Sequence, residues 1–150
     1  MEISRATLSA LVPKLEYAFD LRPQFAVSRP AGTFAKGGRE FAKIAGGTVD
    51  GPLLQGELIG GASFPLRLQG DLEYLEFDER MLIRTADGAT IYVQNRGTLV
   101  ATPAEYYHRG TPVFDAPVDG PHDWLNHHMF VASGGRRLDG SGHMRVFVVR

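Results

Sequence analysis

The stretch Phe77–Gly97, FDERMLIRTADGATIYVQNRG, decides the fold of this chain. Apolar and polar residues alternate on both sides of Ala86-Asp87-Gly88, and a period of two is the pattern of a half-buried β-strand. An Asp-Gly pair between two such runs is the strongest short-range signal of a β-hairpin. The stretch therefore predicts two antiparallel strands joined by a tight turn.

The length of this turn decides which side chains share a face. A three-residue loop with Gly88 in the left-handed conformation pairs residues whose numbers add up to 174. Glu79 and Asn95 then lie opposite each other on an apolar face, whereas Asp78 and Arg80 lie on the polar face. A two-residue turn would place Asp78, Arg80 and Asn95 among apolar residues, because a slip of one position moves every side chain of one strand. The first register separates polar from apolar residues more cleanly and is preferred.

The rest of the chain predicts more short strands between frequent glycines and prolines. Leu15–Arg22 alternates with a period of two, and Gly46–Gly61 predicts two strands that meet at Asp50-Gly51-Pro52. Helical turns are expected only at Ser4–Leu11 and at Thr102–Tyr107, where Thr102 is placed as the N-cap. The remaining strands are expected at 66–69, 72–85, 89–95, 112–115, 124–132 and 143–149. This pattern is typical of a single antiparallel barrel or sandwich.

Composition limits the class of protein. The 150 residues suit one domain, and the net charge of −1 argues against a nucleic-acid partner, which needs clustered Lys and Arg. The chain has no cysteine, which excludes disulfides, zinc–thiolate sites and iron–sulfur clusters. Neither a signal peptide nor a membrane-spanning run is recognised, so we expect a cytoplasmic protein with no membrane partner.

Several motifs resemble the family called domain of unknown function 3237 (DUF3237). The matching pieces follow one another in order along most of the chain: Gly46–Pro52, Gly60-Gly61-Ala62, Asp78-Glu79-Arg80, Thr85–Ala89, Ile91–Gly97, Tyr107-His108-Arg109, Pro112-Val113-Phe114, Trp124-Leu125-Asn126 and Phe130-Val131. The chain departs from the family pattern at Ser63-Phe64, where an Asp-Trp pair is expected, and at Met81, where an aromatic often stands. The resemblance implies a closed antiparallel β-barrel with room for a small molecule, and it implies no particular reaction.

We therefore expect an all-β fold: a single antiparallel up-and-down β-barrel over residues 14–150, with at most one or two short helical turns, after a leader at 1–13. Val146–Val149 is an unbroken apolar run, which is either a fully buried strand or an interface. A homo-oligomer is expected, because symmetric dimers are the commonest assemblies.

Three groups of residues are candidates for chemistry. Asp78, Glu79 and Arg80 supply a carboxylate as a general base and a cation, or else form a cross-strand ion pair on a solvated strand face. Four residues precede Thr111-Pro112, namely Tyr106, Tyr107, His108 and Arg109: the tyrosines and the histidine could donate a proton and the arginine could bind an anion, or else they belong to a rim loop that caps the core. On a strand, one face would carry Trp124, Asn126 and His128, as in the wall of a ligand pocket. The histidines His122, His127 and His128 lack metal-ligand spacing, so no metal is expected.

These residues, with the resemblance, predict a cofactor-independent enzyme that acts on a small apolar or aromatic molecule in the lumen by acid–base chemistry. An isomerase, a lyase or a ring-opening hydrolase would fit. Asp78 is assigned as the base because the resemblance places it in a recurring Asp-x-Arg piece, although the hairpin register turns it to the polar face. Arg80 and Arg109 would stabilise negative charge, and Tyr107 would be the acid. The substrate-binding residues would be Asn95, Trp124, Asn126 and His128. The alternative is a non-catalytic carrier of small hydrophobic ligands, shaped like a lipocalin.

Overall fold

A computed structural model describes residues 3–68, 74–136 and 141–150. These residues form ten strands: β1 Leu15–Phe25, β2 Arg29–Phe34, β3 Gly37–Asp50, β4 Gly56–Ser63, β5 Leu66–Leu68, β6 Tyr74–Thr85, β7 Thr90–Ala101, β8 Tyr106–Asp115, β9 Phe130–Arg136 and β10 Gly142–Val149. One helix, α1 (Arg5–Ala10), precedes them, and a 3-10 helix, Asp123–His127, lies between β8 and β9. Ser4 caps α1, whose residues are all exposed.

The strands close into an antiparallel barrel. The ring runs β1-β10-β9-β8-β7-β6-β4-β3, and the pairing of β1 with β3 completes it. β2 pairs with β3, and β5 pairs with β3 and β6, so both lie outside the ring of eight strands. The predicted all-β, up-and-down barrel is confirmed. The weakest junction joins β8 to β9 through two residue pairs in the described part of the chain, Arg109 with Ser133 and Gly110 with Ala132.

The β6–β7 hairpin has the preferred register. Every Cα pair from Tyr74 with Val100 to Arg84 with Thr90 adds up to 174. Gly88 has a φ of +91°, the left-handed conformation that the three-residue loop requires. The predicted inward face is buried throughout: Phe77, Glu79, Met81, Ile83, Ile91, Val93 and Asn95.

Apolar side chains fill one half of the barrel. Phe19 stacks edge-on against Phe114, with ring centroids 5.6 Å apart, and Phe114 does the same against Phe130 at 4.8 Å. Val146 and Val148 on β10 face this core and are fully buried. Phe147, between them, is half-buried on the outer wall, so the apolar run is neither wholly core nor wholly surface.

Two expected elements differ in the structure. Thr102–Tyr107 is not helical: the Thr102 hydroxyl accepts from the backbone N–H groups of Ala104 and Glu105, and β8 begins at Tyr106. The strand expected at 124–132 is wrong over its first half, because Asn126 donates to Asp123 and to the Ala116 carbonyl and so stabilises a 3-10 turn. β9 begins at Phe130.

Other expectations hold in part. The structure has the predicted helical turns at α1 and the predicted turn after Asp50. The sequence analysis did not predict β2 or the first part of β3. Residues 69–73, which belong to the expected strands at 66–69 and 72–85, and residues 137–140 lie outside the described residues.

Candidate functional site

A polar layer crosses the barrel above its apolar half. Glu79 on β6 and Asn95 on β7 face each other across the hairpin and are 7% and 0% exposed. The Asn95 amide Nδ2 lies 3.3 Å from Glu79 Oε2, and Ser63 Oγ lies 3.5 Å from Glu79 Oε1. The same Asn95 amide lies 3.0 Å from the sulfur of Met144. A buried carboxylate is costly unless it accepts hydrogen bonds, so these donors fix the position of Glu79.

Gly110 makes room for this layer. A Cβ atom at Gly110 would stand 2.5 Å from Asn95 Oδ1, closer than real Cβ contacts. Gly97, opposite Gly110 in the β7–β8 register, does the same for Phe77, whose ring would lie 2.4 Å from an added Cβ. The two paired glycines thus let Asn95 and Phe77 occupy the interior.

Above the polar layer the barrel holds a cavity, hereafter the lumen cavity, of about 310 Å³. Apolar atoms make up most of the surface of its wall, and six polar side chains also border it, so apolar surface and polar groups meet in one pocket as in small-ligand sites. The apolar side chains are Phe25, Ala42, Pro65, Leu75, Phe77 and Leu99, and the polar ones are Glu40, Ser63, Arg67, Glu79, Tyr106 and His108.

Aromatic contacts hold the β8 side of this cavity. The His108 ring packs edge-on against Phe77, with centroids 4.8 Å apart and an interplanar angle of 87°. Tyr106 meets His108 in the same way at 6.5 Å and is itself exposed at the rim. Across the mouth, Arg67 and Glu40 approach to 3.8 Å. A carboxylate, an imidazole and a phenol therefore border one apolar space, and such groups can accept and donate protons.

The predicted base and its cation lie outside this space. Asp78 and Arg80 point to the outer wall, as the register requires, because their neighbours Phe77 and Glu79 point inwards. Asp78 pairs with Arg80 at 3.8 Å and with Arg96, its cross-strand partner, at 3.4 Å. This arrangement agrees with the alternative interpretation, an ion pair on a solvated face.

Tyr107 and Arg109 also point outwards, and they lie within strand β8 rather than in a rim loop. Inward and outward residues alternate along β8, and the inward set includes His108 and Gly110. The Arg109 guanidinium lies 4.7 Å from the centre of the Tyr107 ring and donates to Ser133 Oγ at 3.1 Å. Neither side chain is placed to act together with Asn95 in the lumen.

The three residues expected on one strand face lie at the other end of the barrel. Trp124 packs against Phe130, with ring centroids 5.8 Å apart, and covers the apolar core. Asn126 binds the backbone of Ala116 through both its amide oxygen and its amide nitrogen. His128 Nδ1 lies 2.8 Å from the Trp124 carbonyl. These contacts close that end, so of the eight predicted site residues Asn95 alone belongs to the polar layer.

The sequence analysis gave no role to most residues of the lumen cavity. The alternation of inward and outward positions along each strand could have identified several of them. Glu79 follows from the preferred register, which already turned it to the apolar face. Phe114 is buried, and counting back in steps of two along β8 gives His108 and Tyr106 as inward residues. No signal of this kind singles out Ser63, because a register shift separates Leu58 from Gly60 within β4.

The described residues contain neither a metal-binding cluster nor a membrane-spanning helix. In residues 3–68, 74–136 and 141–150, no group of three or more His, Asp or Glu side chains is placed to hold a metal ion. No helix in these ranges is both long enough and apolar enough to cross a membrane.

Fold and site together define a small closed β-barrel with a ligand-sized cavity and a buried carboxylate. The chain belongs to the DUF3237 family, described as "Protein of unknown function", whose family model matches residues 13–149. A relative from Rhodopseudomonas palustris (strain TIE-1), named UPF0311 protein, is 27% identical over 146 residues, which cover 86% of this chain and 94% of the relative.

Solved structures share the barrel. A β-barrel-like protein from Acinetobacter baumannii superposes with a TM-score of 0.84 at 24% identity, covering 93% of this chain and 97% of that one. A protein described as an enzyme from Penicillium herquei gives a TM-score of 0.74 at 22% identity, covering 92% and 95%. At these identities the likeness shows the fold alone.

Proposed function

We propose that the protein binds a small apolar or aromatic molecule in the lumen cavity and moves a proton on it, with Glu79 as the base. An isomerase, a lyase or a ring-opening hydrolase that uses no cofactor would work in this way. The observation that carries the proposal is the position of Glu79, a buried carboxylate in the wall of an apolar cavity. The Penicillium neighbour, described as an enzyme, supports a catalytic use of this fold.

The cavity wall favours an apolar ligand. Phe25, Leu75, Phe77 and Leu99 supply apolar surface, and a volume of about 310 Å³ suits a molecule with one or two rings. The ligand enters at the end where Tyr106 and Arg67 lie, since Trp124 and the 3-10 helix cover the other end.

Glu79 is held ready for proton transfer. Donors from Ser63 and Asn95 fix both carboxylate oxygens, so the base needs little reorganisation when it accepts a proton. His108 and Tyr106 border the same cavity and can return a proton to the product or stabilise a developing oxyanion. Removal of a proton next to a carbonyl, followed by its return at another carbon, is the simplest reaction that these groups support.

A generic probe tests this assignment without knowledge of the natural substrate. 5-Nitrobenzisoxazole is a planar aromatic molecule that needs only a base: loss of its C–H proton breaks the N–O bond and gives 2-cyano-4-nitrophenolate, whose absorbance is easily followed. We expect the wild-type protein to accelerate this elimination. Glu79→Gln should abolish the acceleration while leaving the circular dichroism spectrum unchanged. The control Glu76→Gln removes an exposed carboxylate of the same strand and should keep the rate.

Other outcomes would contradict the proposal. Full activity in Glu79→Gln combined with loss of activity in Asp78→Asn would return the role of base to Asp78. No acceleration by the wild-type protein, under conditions where the probe binds, would remove the enzymatic proposal.

The second candidate is a carrier of small hydrophobic ligands, and the observation that favours it is that most of the surface lining the lumen cavity is apolar. A carrier needs no titrating group. Binding of the fluorescent probe 8-anilinonaphthalene-1-sulfonate with a flat pH profile, together with no elimination of the benzisoxazole, would favour the carrier.

A further inference from the structure

The outer wall of the barrel carries a second depression, hereafter the outer groove, of about 500 Å³. Its polar side includes Tyr107, Arg109 and Ser133, and its apolar side includes Leu15, Val131 and Phe147. The groove lies over the junction between β8 and β9, where only two residue pairs join the strands in the described part of the chain.

Arg109 is immobilised in this groove. Its Nη1 atom donates to Ser133 Oγ at 3.1 Å and to the His108 carbonyl at 3.0 Å. Its guanidinium carbon lies 4.7 Å from the centre of the Tyr107 ring, within cation–π range. Most of the rotamer entropy that an arginine loses on binding an anion has therefore been lost already.

Arg109 nevertheless has no carboxylate partner. Six arginines elsewhere on the barrel form ion pairs with Asp or Glu: Arg22, Arg67, Arg80, Arg96, Arg145 and Arg150. Arg109 forms no such pair with any residue that the structure describes. A guanidinium presents five N–H donors in a planar fork that matches the two oxygens of a carboxylate. The donors of Arg109 that the protein does not use remain available to an external anion.

The apolar side of the groove specifies the rest of the ligand. Leu15, Val131 and Phe147 come from three different strands and present hydrocarbon next to the cation. A hydrophilic anion such as phosphate would gain nothing from these side chains, whereas an aryl or alkyl carboxylate would bury its body against them.

We propose that the outer groove is a binding site for a small carboxylate with an apolar body, held through a bidentate ion pair with Arg109. The site lies on the opposite side of the barrel wall from the lumen cavity, and the proposal does not depend on the proposed function of that cavity.

Sodium benzoate is the test ligand, titrated into the ¹⁵N-labelled 150-residue chain and followed through amide chemical shifts. We expect saturable shifts at Thr111, Val131 and Ser133. Arg109→Gln should weaken the affinity about tenfold or more, since a charge-assisted bidentate contact is lost. The matched control Arg84→Gln removes an exposed outer-wall arginine of β6 that does not line the groove, and should leave the affinity unchanged. Acetate, which lacks the apolar body, should bind more weakly than benzoate.

Three results would overturn the proposal. The first is equal benzoate affinity in Arg109→Gln and wild type. The second is loss of binding in Leu99→Trp, which fills the lumen cavity, because benzoate would then be bound inside the barrel. The third is competition by inorganic phosphate as strong as that by benzoate, which would reveal attraction of anions in general. Since the elimination assay uses Glu79 and this titration uses Arg109, failure of one proposal does not decide the other.

Discussion

At the scale of single residues, orientation across the wall decides what each side chain can do. Asp78 and Glu79 are adjacent carboxylates of one strand, yet one forms ion pairs on the outer wall and the other lies buried below the lumen cavity. The same holds for His108, which faces the lumen, and Arg109, which faces the outer groove. A resemblance in motif identifies the segment, but only the register assigns its neighbouring residues to opposite sides.

Asp20 provides a prediction at this scale. Its carboxylate is 2% exposed on the outer wall of β1, with Arg145 Nε and His143 Nε2 both 3.0 Å from its oxygens. Burial alone raises the pKa of Asp20, but hydrogen bonds and charge from Arg145 and His143 outweigh burial and hold it at about 2, below the ordinary 3.8.

A carboxyl whose pKa is lower in the folded protein stabilises the fold above its unfolded pKa and loses that contribution as pH falls. We expect the free energy of unfolding to fall by about 1–2 kcal/mol from this source between about pH 4.5 and pH 2. Urea denaturation across this range should show a smaller pH dependence in Asp20→Asn. Asp115→Asn, an exposed outer-wall control, should keep the wild-type dependence, and an unchanged slope in Asp20→Asn would contradict the assignment.

At the scale of elements, local sequence patterns predicted some strands correctly and failed to predict others. The β6–β7 hairpin was predictable in register because Asp87-Gly88 fixes the turn and both strands alternate cleanly. β2 and the start of β3 carry glycines and exposed side chains, so no period of two marks them. The segment before β9 reads as a strand because Trp124, Asn126 and His128 alternate. Hydrogen bonds from Asn126 to a distant backbone, which no local pattern encodes, make it a 3-10 turn.

The hairpin turn can be tested at Gly88. Its φ of +91° is costly for a residue with a side chain, although nothing lies within 4 Å of an added Cβ. We therefore expect Gly88→Ala to lower the free energy of unfolding by about 1 kcal/mol for conformational reasons alone. Gly88→Asn should cost less, because asparagine tolerates the left-handed region better.

The control is Gly60→Ala, where an added Cβ also meets nothing within 4 Å and no positive φ is involved. Chemical denaturation of the three variants measures the effect. An equal loss in Gly60→Ala and Gly88→Ala would show that the conformation of Gly88 is not its cause.

At the scale of the whole molecule, the fold was predictable and most of the candidate site was not. A barrel closes when many short strands, each with alternating apolar and polar residues, pair in antiparallel order. Each strand shows this alternation in its own sequence, so the fold can be predicted strand by strand. A site needs side chains from several strands at the same level along the barrel axis. The level of each side chain depends on the register of every strand pair between them and on every β-bulge. Asn95 could be placed opposite Glu79 because a single predictable hairpin joins them, whereas Ser63 lies beyond the irregular pairing of β4 with β6.

The first residues of the chain give a prediction for the molecule as a whole. α1 buries none of its residues, and the barrel begins at Leu15. Deleting residues 1–13, the expected leader, should therefore change the free energy of unfolding by less than about 0.5 kcal/mol. Phe19→Ala provides the contrast, since it removes a fully buried ring from the core and should cost about 3–5 kcal/mol. A deletion as damaging as Phe19→Ala would show that the leader is part of the domain.

The two-pair junction between β8 and β9 has a consequence for how the barrel moves. A ring of strands opens first where the fewest backbone bonds must break, and local opening free energies follow this order. Among the eight strands of the ring, hydrogen exchange should thus be fastest along the seam flanking Gly110 and Ala132, and slowest in the β6–β7 hairpin. Both the lumen cavity and the outer groove border this seam. A transient opening between β8 and β9 would therefore admit a large ligand through the wall of the barrel.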